Sequence, residues 1–213
     1  GLATALSNAG KFKEAIPLFN KILNLRARVL GGEDHIDVLT MRSNYALALR
    51  SEKRYAEAEK EMAEVYNRRR VVLGDTHPET IRTLSFLAAL AKDRGDLAKA
   101  EVLFNQTAEL YAQANGKNHP EALILENNYL VLVRNRGDLA RAIAGYADLL
   151  KRAEEVLPAT HWHLGSIRGN YGEALYLNKQ YAEAEPLLIE SWKTLSARFP
   201  HSDARVLQAR ERI

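Results

Sequence analysis

The chain of 213 residues contains no cysteine. Disulfide bridges, thiolate ligands and a cysteine nucleophile are therefore excluded, and a reducing, cytoplasmic setting is expected. No apolar run approaches the roughly 20 residues needed to cross a bilayer, and no secretory signal opens the chain, so membrane insertion is not expected. Charge of neither sign dominates: 30 Lys and Arg stand against 27 Asp and Glu, a net charge of +3. That is too mild to announce nucleic acid as a partner. Kinase signatures are missing, with no G-x-G-x-x-G, H-R-D or D-F-G, and acids recur only at helix-surface positions rather than as catalytic pairs. No enzyme activity and no cofactor are expected. Six prolines and twelve glycines in a chain rich in Ala, Leu, Glu, Lys and Arg point to an all-helical protein.

What the chain does have is repetition. "YAEAE" occurs at Tyr55–Glu59 and at Tyr181–Glu185, 126 residues apart, three times 42. His35, His77, His119 and His161 are each separated by 42 residues. Tyr55, Leu97, Leu139 and Tyr181 follow them, and then Ala58, Ala100, Ala142 and Ala184. Phe12 and Ala15 belong to an earlier, incomplete copy. Self-similarity at this period is the mark of a stacked repeat.

Each unit reads as two helices. The first runs from the histidine to a turn at "RGD", "EKR" or "NKQ", where Gly10, Gly95 and Gly137 suit a left-handed helix end and Asp96 and Asp138 can cap the next helix. The second carries an inward stripe at spacings of three and four: Tyr55, Ala58, Met62 and Val65, then Leu97, Ala100, Phe104 and Thr107, then Leu139, Ala142, Tyr146 and Leu149. The small alanine admits a neighbouring helix and the large residues fill the space beside it. Pro17 and Pro186 fall near the start of such helices, where a missing N–H is best tolerated. "THPE" and "NHPE" start the first helices. Capping-box spacing makes Thr76 the cap, whereas the bias before proline makes it His77.

The register divides the chain into a single array: a partial repeat at 1–34, full repeats at 35–76, 77–118, 119–160 and 161–200, and a terminal helix over 201–213. "HSDARVLQARERI" is expected to turn Ala204, Leu207 and Ile213 inward. Gly1 aligns with Asn44 and no initiator Met is present, so the chain reads as a fragment beginning midway through a helix.

Glycine, then an aromatic or Leu, then Ala three residues on and a large residue four beyond is the tetratricopeptide (TPR) pattern, here in a longer unit than the usual ~34 residues. "RRRVVLGDTHPETIRTLSFLAAL" and the "VLGGEDHIDVLTMRSNYALAL" stretch resemble the 42-residue TPRs of kinesin light chains and their bacterial relatives. The last full repeat resembles the closing repeat of TPR regions attached to bacterial serine/threonine protein kinases. The resemblance implies an α-solenoid of about 11 helices in antiparallel pairs, forming a superhelix with a concave groove lined by the first helices.

In that family a pair of mid-helix asparagines holds the backbone of an extended peptide. The matching positions here are Ser43–Asn44, Ser85–Phe86, Asn127–Asn128 and Gly169–Asn170. An amide both donates and accepts, so it pairs with a peptide bond whatever its side chain. Phe86 interrupts the ladder and suggests an apolar pocket instead. Arg50, Lys92 and Arg134 recur six residues further on; they read equally as a basic strip favouring an acidic peptide or as ordinary complements to the helix dipole. No two-residue carboxylate clamp is expected, since only Arg82 comes near one. His161 and His163 form an H-x-H that reads as helix-start structure rather than a metal site, and "NRRR" at Asn67–Arg70 as dipole complement rather than a nucleic-acid site.

The reading is a non-catalytic module binding an extended peptide segment of a partner protein through Asn44, Phe86, Asn127, Asn128, Asn170, Arg50, Lys92 and Arg134. The alternative is a regulatory domain that binds a small ligand or signalling peptide and controls an attached effector such as a kinase. Open ends of a repeat stack invite self-association, but the sequence does not predict it.

Overall fold

The computed structural model describes residues 1–213, as eleven α-helices. They are α1 (Leu2–Asn8), α2 (Phe12–Val29), α3 (Ile36–Ser51), α4 (Tyr55–Leu73), α5 (Pro78–Asp93) and α6 (Leu97–Asn115). There follow α7 (Pro120–Asn135), α8 (Leu139–Val156), α9 (Trp162–Leu177), α10 (Tyr181–Arg198) and α11 (Ala204–Glu211). The chain forms two compact units, residues 1–110 and 111–213, so the boundary falls within α6. None of the helices is long and apolar enough to cross a membrane.

The histidine that recurs every 42 residues is the N-cap of a first helix. His35, His77, His119 and His161 have extended backbones, and each Nδ1 accepts from the backbone N–H two residues on, at 3.2, 3.2, 3.1 and 3.3 Å. His77 is thus the cap rather than Thr76, and Pro78 and Pro120 occupy the first helical position, where no N–H is needed. Asp203 stands 42 residues after His161 and does the same for α11, its Oδ1 accepting from the Arg205 N–H at 2.9 Å.

Turns between the two helices of a repeat share one pattern. Asp96 N–H donates to Ala91 O and Gly95 N–H to Lys92 O, both at 2.9 Å, with Gly95 at φ +81°. Gly10 and Gly137 repeat it at φ +74° and +90°. These are Schellman ends, which satisfy the last carbonyls by turning the chain left-handed. Two turns lack glycine, and Lys53 and Lys179 adopt φ +59° and +63° instead. As expected, Asp96 and Asp138 cap the second helices, accepting from the N–H groups of Lys99 and Arg141 at 3.1 and 3.3 Å.

Pro17 and Pro186 lie deeper than expected, inside α2 and α10 and five residues beyond Phe12 and Tyr181. Both are exposed, so water can satisfy the carbonyl one turn back that loses its N–H donor.

The alanine and large-residue stripe forms the core of each unit. In residues 1–110, Ala15, Phe19, Tyr45, Leu49 and Ala58 make one buried cluster, and Leu39, Met62, Val65 and Leu87 another. In residues 111–213, Leu123, Ala142, Tyr146, Leu149, Ala153 and Ile167 are buried together. Each such leucine is worth about 1.5–3 kcal/mol relative to exposure. Three glycines set the closeness of α9 to its neighbours. A Cβ on Gly172 would stand 2.7 Å from Leu188 Cδ2, and one on Gly165 3.0 Å from Leu195 Cγ.

The terminal helix faces inward by a different edge from the one read in the sequence. Val206 and Ala209 are buried at 2%, packed with Leu195 and near Trp162, Trp192 and Phe199. Ala204 is exposed, and Leu207 and Ile213 are 36% and 62% exposed. Counted from its cap, Leu207 corresponds to Leu39 and Leu123, which are buried against residues of α4 and α8. Both tryptophans pack at the C-terminal end.

Candidate functional site

The residue nine places after each cap falls in the middle of a first helix: Asn44 on α3, Phe86 on α5, Asn128 on α7 and Asn170 on α9. In residues 1–110, Asn44, Phe86 and Arg50 border one cavity of about 330 Å³ together with Ser43 and Ser85. Arg50 Nε donates to Asp93 Oδ2 at 2.7 Å, and its guanidinium lies 5.3 Å from the Phe86 ring centroid. The cation is therefore compensated, and it holds a ring at the cavity wall. Lys92 is exposed and does not border this cavity.

Arg69 also borders that cavity, although only 1% exposed. The equivalent position 84 residues on is the buried alanine Ala153. Arg69 Nη1 donates to Thr83 Oγ1 at 2.7 Å and to Glu79 O at 3.2 Å, and Nη2 lies 3.0 Å from Glu79 Oε2. Its Nε has no partner, and burial lowers the pKa of the guanidinium. Arg82 pairs with the same Glu79. Within "NRRR" Arg69 reads in the sequence as a helix-dipole complement, whereas the structure buries it. A signal was present, since an arginine stands where the repeat 84 residues on carries a buried alanine.

In residues 111–213 the amides meet one another. Asn170 Nδ2 donates to Asn127 Oδ1 at 3.0 Å, and Asn170 Oδ1 accepts from Arg212 Nη2 at 3.4 Å. Asn128 is exposed and makes no hydrogen bond within the chain; on the other unit, half-buried Asn44 makes none either. Arg134 is 7% exposed and donates through Nη1 to Glu173 Oε2 at 2.7 Å and through Nε and Nη2 to Asn135 Oδ1. Arg212 pairs with the same carboxylate. Burial lowers the pKa of Arg212, against the opposing pull of Glu173. The three in-register cations are thus one exposed lysine and two arginines with carboxylate partners.

Arg212 was not foreseen. It lies nine residues after Asp203, the register of Asn44 and Asn170, and becomes legible once Asp203 is counted as a fifth cap. Its approach depends on Gly169, where a Cβ would stand 2.5 Å from Ser191 Oγ and 3.2 Å from Arg212 Nη1. His161 and His163 have ring centroids 4.9 Å apart. His161 Nδ1 is committed to its cap, and no group of three or more His, Asp or Glu is arranged to hold a metal ion.

The tetratricopeptide repeat family matches this chain over residues 1–37 and again over 37–113. No curated protein sequence matches it. Among solved structures it is similar to a Podosopora anserina protein with nearly identical kinesin light chain TPR-like repeats, at TM-score 0.80 and 20% identity, covering 93% of this chain and 94% of that one. It is also similar to BtubC (BKLC) from P. vanneervenii, at TM-score 0.77 and 18% identity over 92% and 78% of the two chains. A third is YrrB, a TPR protein with an unusual peptide-binding site, at TM-score 0.62 and 15% identity over 98% and 88%. Five histidine or aspartate caps in 42-residue register, the shared Schellman turns and the family matches lead to one assignment: the chain belongs to the tetratricopeptide repeat family.

Proposed function

We propose that this protein is a non-catalytic interaction module whose first helices bind an extended segment of a partner protein. The observation that carries the reading is that Asn44 and Asn128 stand in equivalent positions with their amides free of internal hydrogen bonds, each bordering a cavity. A mid-helix asparagine is unfavourable by propensity, and an unused amide there offers a donor and an acceptor to a passing peptide bond. The cavity walled by Phe86 and bordered by Leu47 and Ala89 would take an apolar side chain of the same segment. Asn127 and Asn170 have a different role in this reading: bonded to each other, they hold α7 and α9 in register and shape the surface. A peptide-binding TPR protein among the structural relatives supports the same use of the fold.

Selection of binders from a library of unstructured peptides, followed by calorimetry, tests the proposal. Asn44→Ala with Asn128→Ala should weaken a selected peptide at least about tenfold, the loss of one to two hydrogen bonds, with the thermal midpoint unchanged. Asn170→Ala should instead lower the midpoint. A peptide bound equally well by the double variant would remove the first-helix amides from the site.

A further inference from the structure

The cavity in residues 111–213 has a volume of about 220 Å³ and lies among α7, α9, α10 and α11. Two of its lining side chains carry buried polar atoms with no partner, Ser191 Oγ and His163 Nδ1. Ser191 is 1% exposed. A helical serine ordinarily turns its hydroxyl back to the carbonyl one turn earlier; Ser191 makes no such bond. A buried hydroxyl left unpaired costs free energy, so its place at a cavity wall marks a position where a ligand atom completes the bonding.

The rest of the wall states what kind of ligand fits. Leu123, Ile124, Ile167, Leu195 and Trp162 supply its apolar surface, beside uncharged polar groups of Asn127, Asn128, Ser166, Asn170 and Gln208. No Asp or Glu lines the cavity, so nothing there attracts a cation. Its two arginines are spoken for: Arg205 is paired with Asp203 at 2.8 Å and stacked 3.5 Å from the Phe199 ring centroid, and Arg212 is paired with Glu173. Neither leaves an uncompensated charge for an anion. Burial holds His163 down to about pKa 4, so at neutral pH it presents an uncharged ring.

We infer that this cavity is a binding site for a small neutral, largely apolar group bearing one hydroxyl, which donates to His163 Nδ1 and accepts from the Ser191 hydroxyl. Two sources supply such a group, a free compound and a side chain of a bound peptide, since a phenol ring offers the same atoms in both. Asn128 borders this same cavity, but the inference is carried by Ser191 and His163 and not by the first-helix amides.

Titration of the full chain with p-cresol, followed by the indole and imidazole NMR signals of Trp162, Trp192 and His163, tests it, with toluene as the matched compound lacking the hydroxyl. Saturable binding of p-cresol at about 0.1–1 mM is expected, with toluene at least about tenfold weaker. Ser191→Ala and His163→Gln should each weaken p-cresol by about fivefold or more, with circular dichroism unchanged, while Asn44→Ala leaves it alone. A short peptide of glycines around one tyrosine, run as a competitor, separates the two sources: displacement of p-cresol assigns the site to a side chain, and no displacement to a free compound. No saturation by p-cresol, equal binding of toluene, or full affinity in both variants would each overturn the inference.

Discussion

His163 shows how one residue inherits its chemistry from burial. In an unfolded chain an imidazole titrates near 6.5; here burial first, and the neighbouring His161 second, hold it at about 4. Below about pH 6.5 the unfolded chain takes up a proton that the folded protein refuses until about pH 4. The stability supplied by neutral His163 is therefore complete above pH 6.5 and is lost as the pH falls toward 4. Urea midpoints at pH 7.5 and pH 4.5 should fall further for the wild type than for His163→Gln. Parallel losses would mean that the ring is hydrated in the native state. Little of this could be read from the sequence, where the H-x-H motif announced a helix start. That part holds for His161 alone; the second histidine is recessed by the packing of α9 at a cavity wall, its ring centroid 3.6 Å from that of adjacent Trp162.

At the scale of the element, the repeated histidine is a cap before it is anything else. Its Nδ1 takes the N–H that a helix leaves unsatisfied in its first turn, and Asp203 in the same register does so with a carboxylate. His77→Ala should therefore cost about 1 kcal/mol, and His77→Asp should retain the cap and add a favourable charge at the helix N-terminus. Chemical denaturation of the two variants checks this. Equal destabilisation by Ala and Asp would assign the histidine to ring packing instead. Helix identity, the turn type and the alanine stripe were legible because each depends on neighbours within a few residues. The choice between Thr76 and His77 was not, because two local rules pointed to different residues and only the backbone conformation decides between them.

For the molecule as a whole, stability is distributed by adjacency. In a repeat protein each unit contacts chiefly its neighbours, so interior helices are held on two sides and terminal ones on one. The short α1 packs on α2 and α3, and α11 on α10. Amide hydrogen exchange should therefore be fastest in α1 and α11 and slowest in α4 and α9. Protection of α11 equal to that of α9 would show that the Arg134–Glu173–Arg212 network ties the terminal helix into the unit as firmly as its hydrophobic contacts do.

The sequence by itself determined the repeat, its 42-residue period, the helix pairs, their left-handed ends and the stripe that becomes the core. All of these follow from local spacing and from which residue types tolerate a given backbone. The tertiary structure alone decided which of the recurring polar residues are free. Asn128 and Asn170 are identical in register and residue type, yet one amide is open and the other is consumed by Asn127 and Arg212. Arg50, Lys92 and Arg134 looked like one strip, yet two of them meet carboxylates 43 and 39 residues away in the chain. A polar side chain's role depends on what stands within about 3 Å of it, and in a stacked repeat that neighbour belongs to the next unit, beyond the reach of any local pattern.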